Sequence, residues 1–377
     1  MRELQFIRTG RLAWRERPEP ALSEPGDALV RPFVAGRCDG DTMPIHRHVS
    51  RAMQVGMRVG LVDPIVASIC GAVPFRGPFG IGHECVAEIL DVGPEVSGLQ
   101  RGDVGIVPWA VSCGSCLECL RGLTAKCSTT RSTTLAAFGF GPASGPWGGM
   151  VADTLRIPFA DHMLVRVPDG VDPLRVAAAS DNLADAWRCV APPLQIRPGG
   201  RVLILGGAAQ SIALYAAGLA VRLGGEVDYV DDRTERLTIA DKLGARVHAV
   251  GKGKRTAADL PRRDYDVVVE GTSSAAGVDL ALRALAPGGI CRPVGYYLPP
   301  GTKVPLMHMY ANDATLQIGV SHVRPVLPDL LDFVVQHEFP AEEITTLTAD
   351  WDDAPEAYRA HTTKLVLQRP RISRTPR

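Results

Sequence analysis

Four cysteines fall within fifteen residues, at Cys113, Cys116, Cys119 and Cys127, and no other stretch constrains this chain as tightly. The spacing Cys-x2-Cys-x2-Cys-x7-Cys puts four soft thiolates on one short loop, which suits tetrahedral zinc closed to solvent. Gly114, Ser115 and Gly122 let the backbone turn between ligands. Iron–sulfur ligation is the nearest rival, but bacterial ferredoxins place the next cysteine after three residues and before proline. Here Cys127 follows after seven and precedes Ser128. A site with four protein thiolates has no open position, so its expected role is structural.

Nine cysteines in 377 residues are too few for a disulfide scaffold, and four of them are at metal-ligand spacing, which favours a reducing compartment. Met1 to Arg17 alternates apolar and charged residues without an apolar leader, so a cytoplasmic protein is expected. Forty-one basic and 41 acidic residues cancel, leaving no global field for nucleic acid or an anionic membrane. The expected partner is a small molecule. Val202 to Val221 is long enough to span a bilayer and carries no charge, but Gly206-Gly207 and the polar Gln210 and Ser211 argue against a span.

The chain is long enough for two domains and one cleft between them. From Leu4 to Val34, apolar runs are punctuated by prolines, and Cys85 to Val92 and Val104 to Trp109 read as further strands. Met53, Met57 and Leu61 recur at helical spacing, as one packed helix face or as a flap over a pocket, while His46 and His48 read as surface or core residues. After Pro168-Asp169-Gly170 the texture changes. Asp172-Pro173 is expected to cap a helix through Cys189. Strands follow at Arg201–Leu205, Glu226–Val230, Asp266–Glu270, Ile290–Tyr297 and Thr315–Val320, with helices at Ala208–Leu223, Thr234–Leu243 and Val278–Leu285, the last stopped by Pro287-Gly288-Gly289. This alternation predicts a parallel sheet with helices on both faces.

Gly206-Gly207-Ala208-Ala209-Gln210-Ser211 occupies the place of a Gly-x-Gly-x-x-Gly turn between strand and helix. Only the first glycine survives, but Ala208 and Ser211 are small enough for a pyrophosphate to approach the helix N-terminus. Asp231 lies 25 residues after Gly206, near the ~20 expected of a ribose-binding acid. It favours NAD, Arg233 leaves NADP open, and Arg236 joins the candidate cofactor residues.

Cys38 and His83 are a thiolate and an imidazole in the β-rich half, with Asp41 and Glu84 close in sequence. On residue type alone they read more readily as packed core than as ligands. The Cys-x-x-Asp turn, Gly82-His83-Glu84, the cysteine lobe and the following nucleotide half together resemble the zinc-dependent, alcohol dehydrogenase-like medium-chain dehydrogenase/reductase family over nearly the whole chain. The resemblance implies an α/β protein: a GroES-like β-barrel catalytic domain at 1–165, completed by 325–377, and a Rossmann doubly wound domain at 166–324. It implies a catalytic zinc on Cys38 and His83, with Glu84 beside it as an outer residue or exchangeable ligand, Asp41 orienting the histidine, and Asp181 of Ser180-Asp181-Asn182-Leu183 as third ligand. Hydride would pass between NAD(P) and a carbon whose oxygen rests on that zinc. Homodimers or homotetramers, often paired through edge strands such as 290–297, are the family's habit.

The chain departs from the family where protons move. Gly40 and Met43 stand where a hydroxyl and a histidine commonly relay the alcohol proton, Asp185 replaces a threonine facing the nicotinamide, and the 44 residues between Cys38 and His83 exceed the common form. Three readings follow: a dehydrogenase relaying protons through water, Thr42, Asp185 or the segment 44–80; a reductase of carbonyls or conjugated double bonds, or a redox-neutral enzyme, on a bulky specialised metabolite; or a silent binding or structural protein.

Overall fold

The computed structural model describes residues 1–251, 253, 256–297 and 301–372. Strands β1 (Arg2–Arg8), β2 (Arg11–Glu16) and β3 (Ala28–Gly36) form where the apolar runs lie between prolines. The segment after Cys38 is helical in three short pieces, α1 (Thr42–His46), α2 (Ser50–Arg58) and α3 (Ile65–Cys70). Strands β4 (Phe79–Gly80), β5 (Glu84–Val92) and β6 (Val104–Ile106), the one-turn helix α4 (Leu117–Leu120), then β7 (Leu155–Ile157), α5 (Ala160–Met163) and β8 (Val165–Arg166) follow. β3, β5, β6 and β8 pair in that order, antiparallel, and β1 is sandwiched between β2 and β4 in a separate small sheet. Leu4, Phe6, Val30, Ile89, Phe138 and Met150 are among the buried residues of this core.

The expected methionine face forms only in part. α2 ends at Arg58, where the Gly56 carbonyl accepts the N–H groups of Leu61 (2.8 Å) and Val62 (3.0 Å) and turns the chain back. Met53 is buried, Met57 half-buried and Leu61 exposed.

The nucleotide-type half is α6 (Asn182–Ile196), β9 (Arg201–Leu205), α7 (Gln210–Arg222), β10 (Glu226–Asp231), α8 (Thr234–Lys242), β11 (Arg246–Ala249), β12 (Tyr265–Glu270), α9 (Ala275–Arg283), β13 (Leu285–Pro293), α10 (Leu306–Ala311) and β14 (Thr315–Leu316). The six strands are all parallel, in the order β11-β10-β9-β12-β13-β14, so the order reverses between β9 and β12. Val202 to Leu205 are buried on both faces, as a central parallel strand requires.

Four expectations are corrected. The helix begins at Asn182, not 173: Asp172 Oδ1 accepts only the Leu174 N–H (2.9 Å) in a local turn, and tight turns carry the chain to Asp181. Strand β11 went unpredicted. Pro287-Gly288-Gly289 lies inside β13, where Gly288 at φ 72° makes the irregularity that shifts the register against β12. Finally, β14 pairs with Ile290 and Cys291, so 290–297 is not the outermost strand.

The chain then continues through α11 (Val323–Gln336), β15 (Leu347–Asp350), α12 (Ala354–Ala357) and β16 (Leu365–Gln368), and β16 pairs antiparallel with β3. Two compact units result. The first holds Met1–Ala184, Ser321–Val335 and the chain from Thr345 onward; the second holds Asp185–Val320 and Gln336–Ile344. Among the described residues no helix is long and apolar enough to cross a membrane.

Candidate functional site

The four lobe cysteines converge, with their sulfur atoms all within 4.8 Å of one another, and none is in a disulfide. Cys116 Sγ and Cys127 Sγ are 3.8 Å apart. That equals the edge of about 3.8 Å in a tetrahedron of ~2.3 Å zinc–sulfur bonds. The loop also supplies donors to the sulfurs: Cys116 N–H (3.3 Å) and Thr129 Oγ1 (3.2 Å) donate to Cys113 Sγ, and Cys113 N–H (3.4 Å) donates to Cys127 Sγ. Burial opposes ionisation of Cys113, but the Thr129 hydroxyl and the donors of Ser115 and Cys116 draw its pKa down to about 5. The geometry fits a thiolate-bound metal ion.

A second cluster brings together Cys38, His83 and Asp181 from three parts of the first unit. Cys38 Sγ lies 3.1 Å, and His83 Nε2 3.3 Å, from Asp181 Oδ2. These are close to the edges of about 3.4–3.6 Å expected around one ion with ~2.0–2.3 Å bonds. His83 is buried, and neither ring nitrogen makes a well-formed hydrogen bond. Asp41 Oδ1 is 3.7 Å from His83 Nδ1, a contact rather than a hydrogen bond, and Asp41 Oδ2 is buried without a partner. Burial, with Asp181 and Glu84 nearby, pushes the Cys38 thiol well above its ordinary value. Burial likewise lifts Asp41 to about 6. It works against charge on His83, but Asp41 and Asp181 hold the imidazole at about 9. Buried acids crowded around an orphaned imidazole form a donor set that a divalent cation satisfies.

Sequence reading missed how Asp181 is aimed. Ser180 Oγ donates to Cys85 O and accepts from Cys85 N–H, both at 3.0 Å, clamping the turn to the start of β5. One residue on, Asn182 N–H donates to Glu84 Oε1 at 3.0 Å, so the first donor of α6 is satisfied by a carboxylate 98 residues away. Glu84 itself lies outside the three-residue cluster. Its Oε2 is 2.5 Å from the Nζ of Lys364, and both residues are fully buried. A Cβ at Gly36 would stand 2.2 Å from that oxygen, so the pair has room only beside glycine. Arg37, also buried, donates to the carbonyls of Tyr358 (2.7 Å), Ala360 (2.8 Å) and Thr362 (3.1 Å), tying the chain after α12 beneath Cys38. Phe140 closes another side, its ring 4.7 Å from that of His83 and 5.5 Å from that of Trp109.

In the second unit, Gly206 to Ser211 joins β9 to α7. Glycine is required twice: a Cβ at Gly206 would sit 2.1 Å from Asp231 Oδ2, and one at Gly207 2.5 Å from Thr272 Cα. Ala209 N–H donates to Gly271 O at 2.9 Å, and no side chain caps α7. Asp231 is fully buried at the end of β10 and accepts five hydrogen bonds: from Tyr229 Oη (2.9 Å), the N–H groups of Asp232 (2.7 Å) and Arg233 (3.0 Å), and Arg236 Nε (2.8 Å) and Nη2 (2.6 Å). Arg236 Nη1 also reaches Gln210 Oε1 at 3.2 Å. A carboxylate offers about four lone-pair sites, so a ribose hydroxyl would have to share Asp231 with Arg236.

Residues 24–169 match the alcohol dehydrogenase GroES-like domain. A probable zinc-binding alcohol dehydrogenase of Mycobacterium tuberculosis is 26% identical over 95% of this chain and 84% of its own length. Zinc-type alcohol dehydrogenase B of Aspergillus flavus is 26% identical over 92% of this chain and 76% of its own. Among solved structures, the alcohol dehydrogenase of Thermus sp. ATN1 superposes at TM-score 0.80 with 27% identity, covering 98% of this chain and 99% of that one. Residues 24–169 carry the alcohol dehydrogenase GroES-like domain, and over nearly its whole length the chain is similar to zinc-type alcohol dehydrogenases. The fold is accordingly a GroES-like domain with a Rossmann domain. Thr42, the nearest hydroxyl to Gly40, spends its donor on Asp39 O at 2.6 Å. Asp185 is paired with Arg188 one turn along α6, and Arg188 also donates to Gly319 O at 2.9 Å. Both side chains that sequence reading offered as relays therefore have fixed partners.

Proposed function

We propose that the chain is a zinc-dependent oxidoreductase that transfers hydride between a nicotinamide dinucleotide and an alcohol or carbonyl compound. The observation that carries this is the convergence of Cys38, His83 and Asp181 around an imidazole whose nitrogens lack hydrogen-bond partners. Relatives named as zinc-type alcohol dehydrogenases support the same reading. Cys38, His83 and Asp181 would hold the catalytic zinc, and Cys113, Cys116, Cys119 and Cys127 the structural one. Bound there, zinc supplies Lewis-acid polarisation of the substrate oxygen and the nicotinamide supplies or accepts the hydride. Asp41 faces Nδ1 of His83 and biases the ring to present Nε2. Ser180 and the Glu84–Lys364 pair fix the turn that carries Asp181, and Phe140 and Trp109 keep water from one side of the imidazole.

Gly206 to Ser211, with Asp231 and Arg236, would bind the dinucleotide, and the reading favours NAD. Arg236 is committed to Asp231, and Arg233 faces Asp232 at 3.8 Å, so neither cation is reserved for a 2′-phosphate. Reduction of a conjugated double bond is the second reading. It is favoured by the partnered Thr42 and Asp185, whose side chains already have fixed partners.

The test is turnover of NAD and NADP with panels of alcohols, aldehydes and enones, with product analysis, in the parent and in Cys38→Ser. The parent is expected to reduce NAD with alcohols. The variant should lose roughly a thousandfold in kcat/KM, about 4 kcal/mol of transition-state stabilisation. Undiminished turnover in the variant would remove Cys38 from the reaction, and enone reduction alone would select the second reading.

A further inference from the structure

The segment between α2 and β4 builds one wall of a cavity. Residues Cys70, Val73, Arg76 and Phe79 on one side and Phe140 and Pro142 on the other line a space of about 250 Å³ within the first unit. That is just below the ~300 Å³ at which small-molecule pockets begin, so it suits one arm of a ligand rather than a whole one. Its walls are bonded together. Thr133 Oγ1 donates to Ser68 O (2.8 Å) and Ala143 O (2.9 Å), and Ser144 Oγ donates to Ile69 O (3.1 Å), which holds α3 against the 133–144 loop.

The lining is apolar except at one point. Burial pushes the Cys70 thiol up to about 12, as expected of a group without polar surroundings. Arg76 is the only charged residue on the lining. It is exposed, and among the described residues its guanidinium has neither an ion pair nor a hydrogen bond. Arg37 and Arg369, by contrast, are tied down, the first by three carbonyls and the second by Asp153. The cavity shares a wall with the candidate metal cluster, because Phe140 lines it and packs, tilted, against the His83 ring at 4.7 Å.

We infer that this cavity receives the far arm of the substrate, and that Arg76 selects an arm ending in a carboxylate or phosphate. The inference rests on the oxidoreductase reading and names its substrate class: medium-chain alcohols or aldehydes with an apolar stretch and a terminal anion. Guanidinium pairs such anions bidentately, and an apolar wall beside it strengthens that pairing. Arg76 is a specificity-determining residue, remote from the reacting carbon.

The experiment compares hexan-1-ol, 6-hydroxyhexanoate and 6-hydroxyhexyl phosphate as substrates of the parent, Arg76→Gln and Arg76→Lys. In the parent, at least one anionic compound should exceed hexanol about tenfold in kcat/KM, and the better of the two identifies the anion. Arg76→Gln should abolish that preference through KM, with hexanol turnover unchanged, and Arg76→Lys should restore part of it. Calorimetric binding of the three compounds to the same proteins is the second readout. If none is turned over but Arg76→Gln weakens anion binding about tenfold, the cavity assignment stands and the oxidoreductase reading fails. A parent that binds and turns over hexanol as well as either anion, or an anion preference that survives Arg76→Gln, overturns the inference.

Discussion

Replacing Cys127 by alanine is expected to remove one zinc per chain and lower Tm by roughly 6–12 °C. Cys127 is almost completely buried and sits 3.8 Å from Cys116 Sγ, so its thiolate would close the proposed zinc tetrahedron. Structural zinc contributes ~10–16 kcal/mol of apparent binding free energy in small zinc-folded peptides. Three thiolates and a water retain much of that, so a net loss of about 3 kcal/mol is a conservative expectation. At ~2–4 °C per kcal/mol for a domain of this size, the shift follows. The lobe has little else to hold it, because Leu117, Leu120 and Leu123 are exposed rather than packed. Scanning calorimetry with metal analysis checks the expectation, and an unchanged Tm with undiminished zinc would show that the four cysteines do not act together.

Lys364→Met is expected to cost about 3–5 kcal/mol, because it strands Glu84 as a buried charge. The two side chains are fully buried and 2.5 Å apart, and the ammonium also donates to Arg37 O at 3.1 Å. Methionine fills the volume but supplies no cation. Adding Glu84→Gln should recover most of the loss, since a neutral amide can still accept from Asn182 N–H while the uncompensated charge is gone. Chemical denaturation of the parent, both single variants and the double variant forms a closed cycle. A coupling of several kcal/mol is expected, and losses that simply add would mean the pair does not interact energetically.

These two sites show what the sequence could reveal and what it could not. The cysteine lobe was legible because its four ligands and turn residues lie within fifteen positions. The Rossmann half was legible because apolar strands alternate with helical periods, and Gly206 stands at the strand end where Asp231 needs space. Lys364 was not legible. It follows Thr362-Thr363 and precedes the apolar run Leu365-Val366-Leu367, where a lysine reads as a solvent-facing residue, and its partner Glu84 is 280 residues away. The start of α6 was misplaced for the same reason: Asp172-Pro173 is a strong local helix signal, whereas the donor at Asn182 is satisfied by a distant carboxylate. Met57 and Leu61 kept helical spacing, but the Gly56 carbonyl ended the helix before that face was complete. Asp231 was found as a strand-end acid, while its saturation by Tyr229, Arg236 and two backbone amides needed coordinates.

Two chemically distinct metal sites in one chain are tested most directly by counting zinc with native mass spectrometry in the parent and in His83→Ala. The parent should carry two zinc ions per chain. His83→Ala should carry one, held by the cysteine lobe, because Cys38 and Asp181 alone make a poor site. One zinc in the parent, or two retained in His83→Ala, would contradict the assignment of Cys38, His83 and Asp181 to a metal.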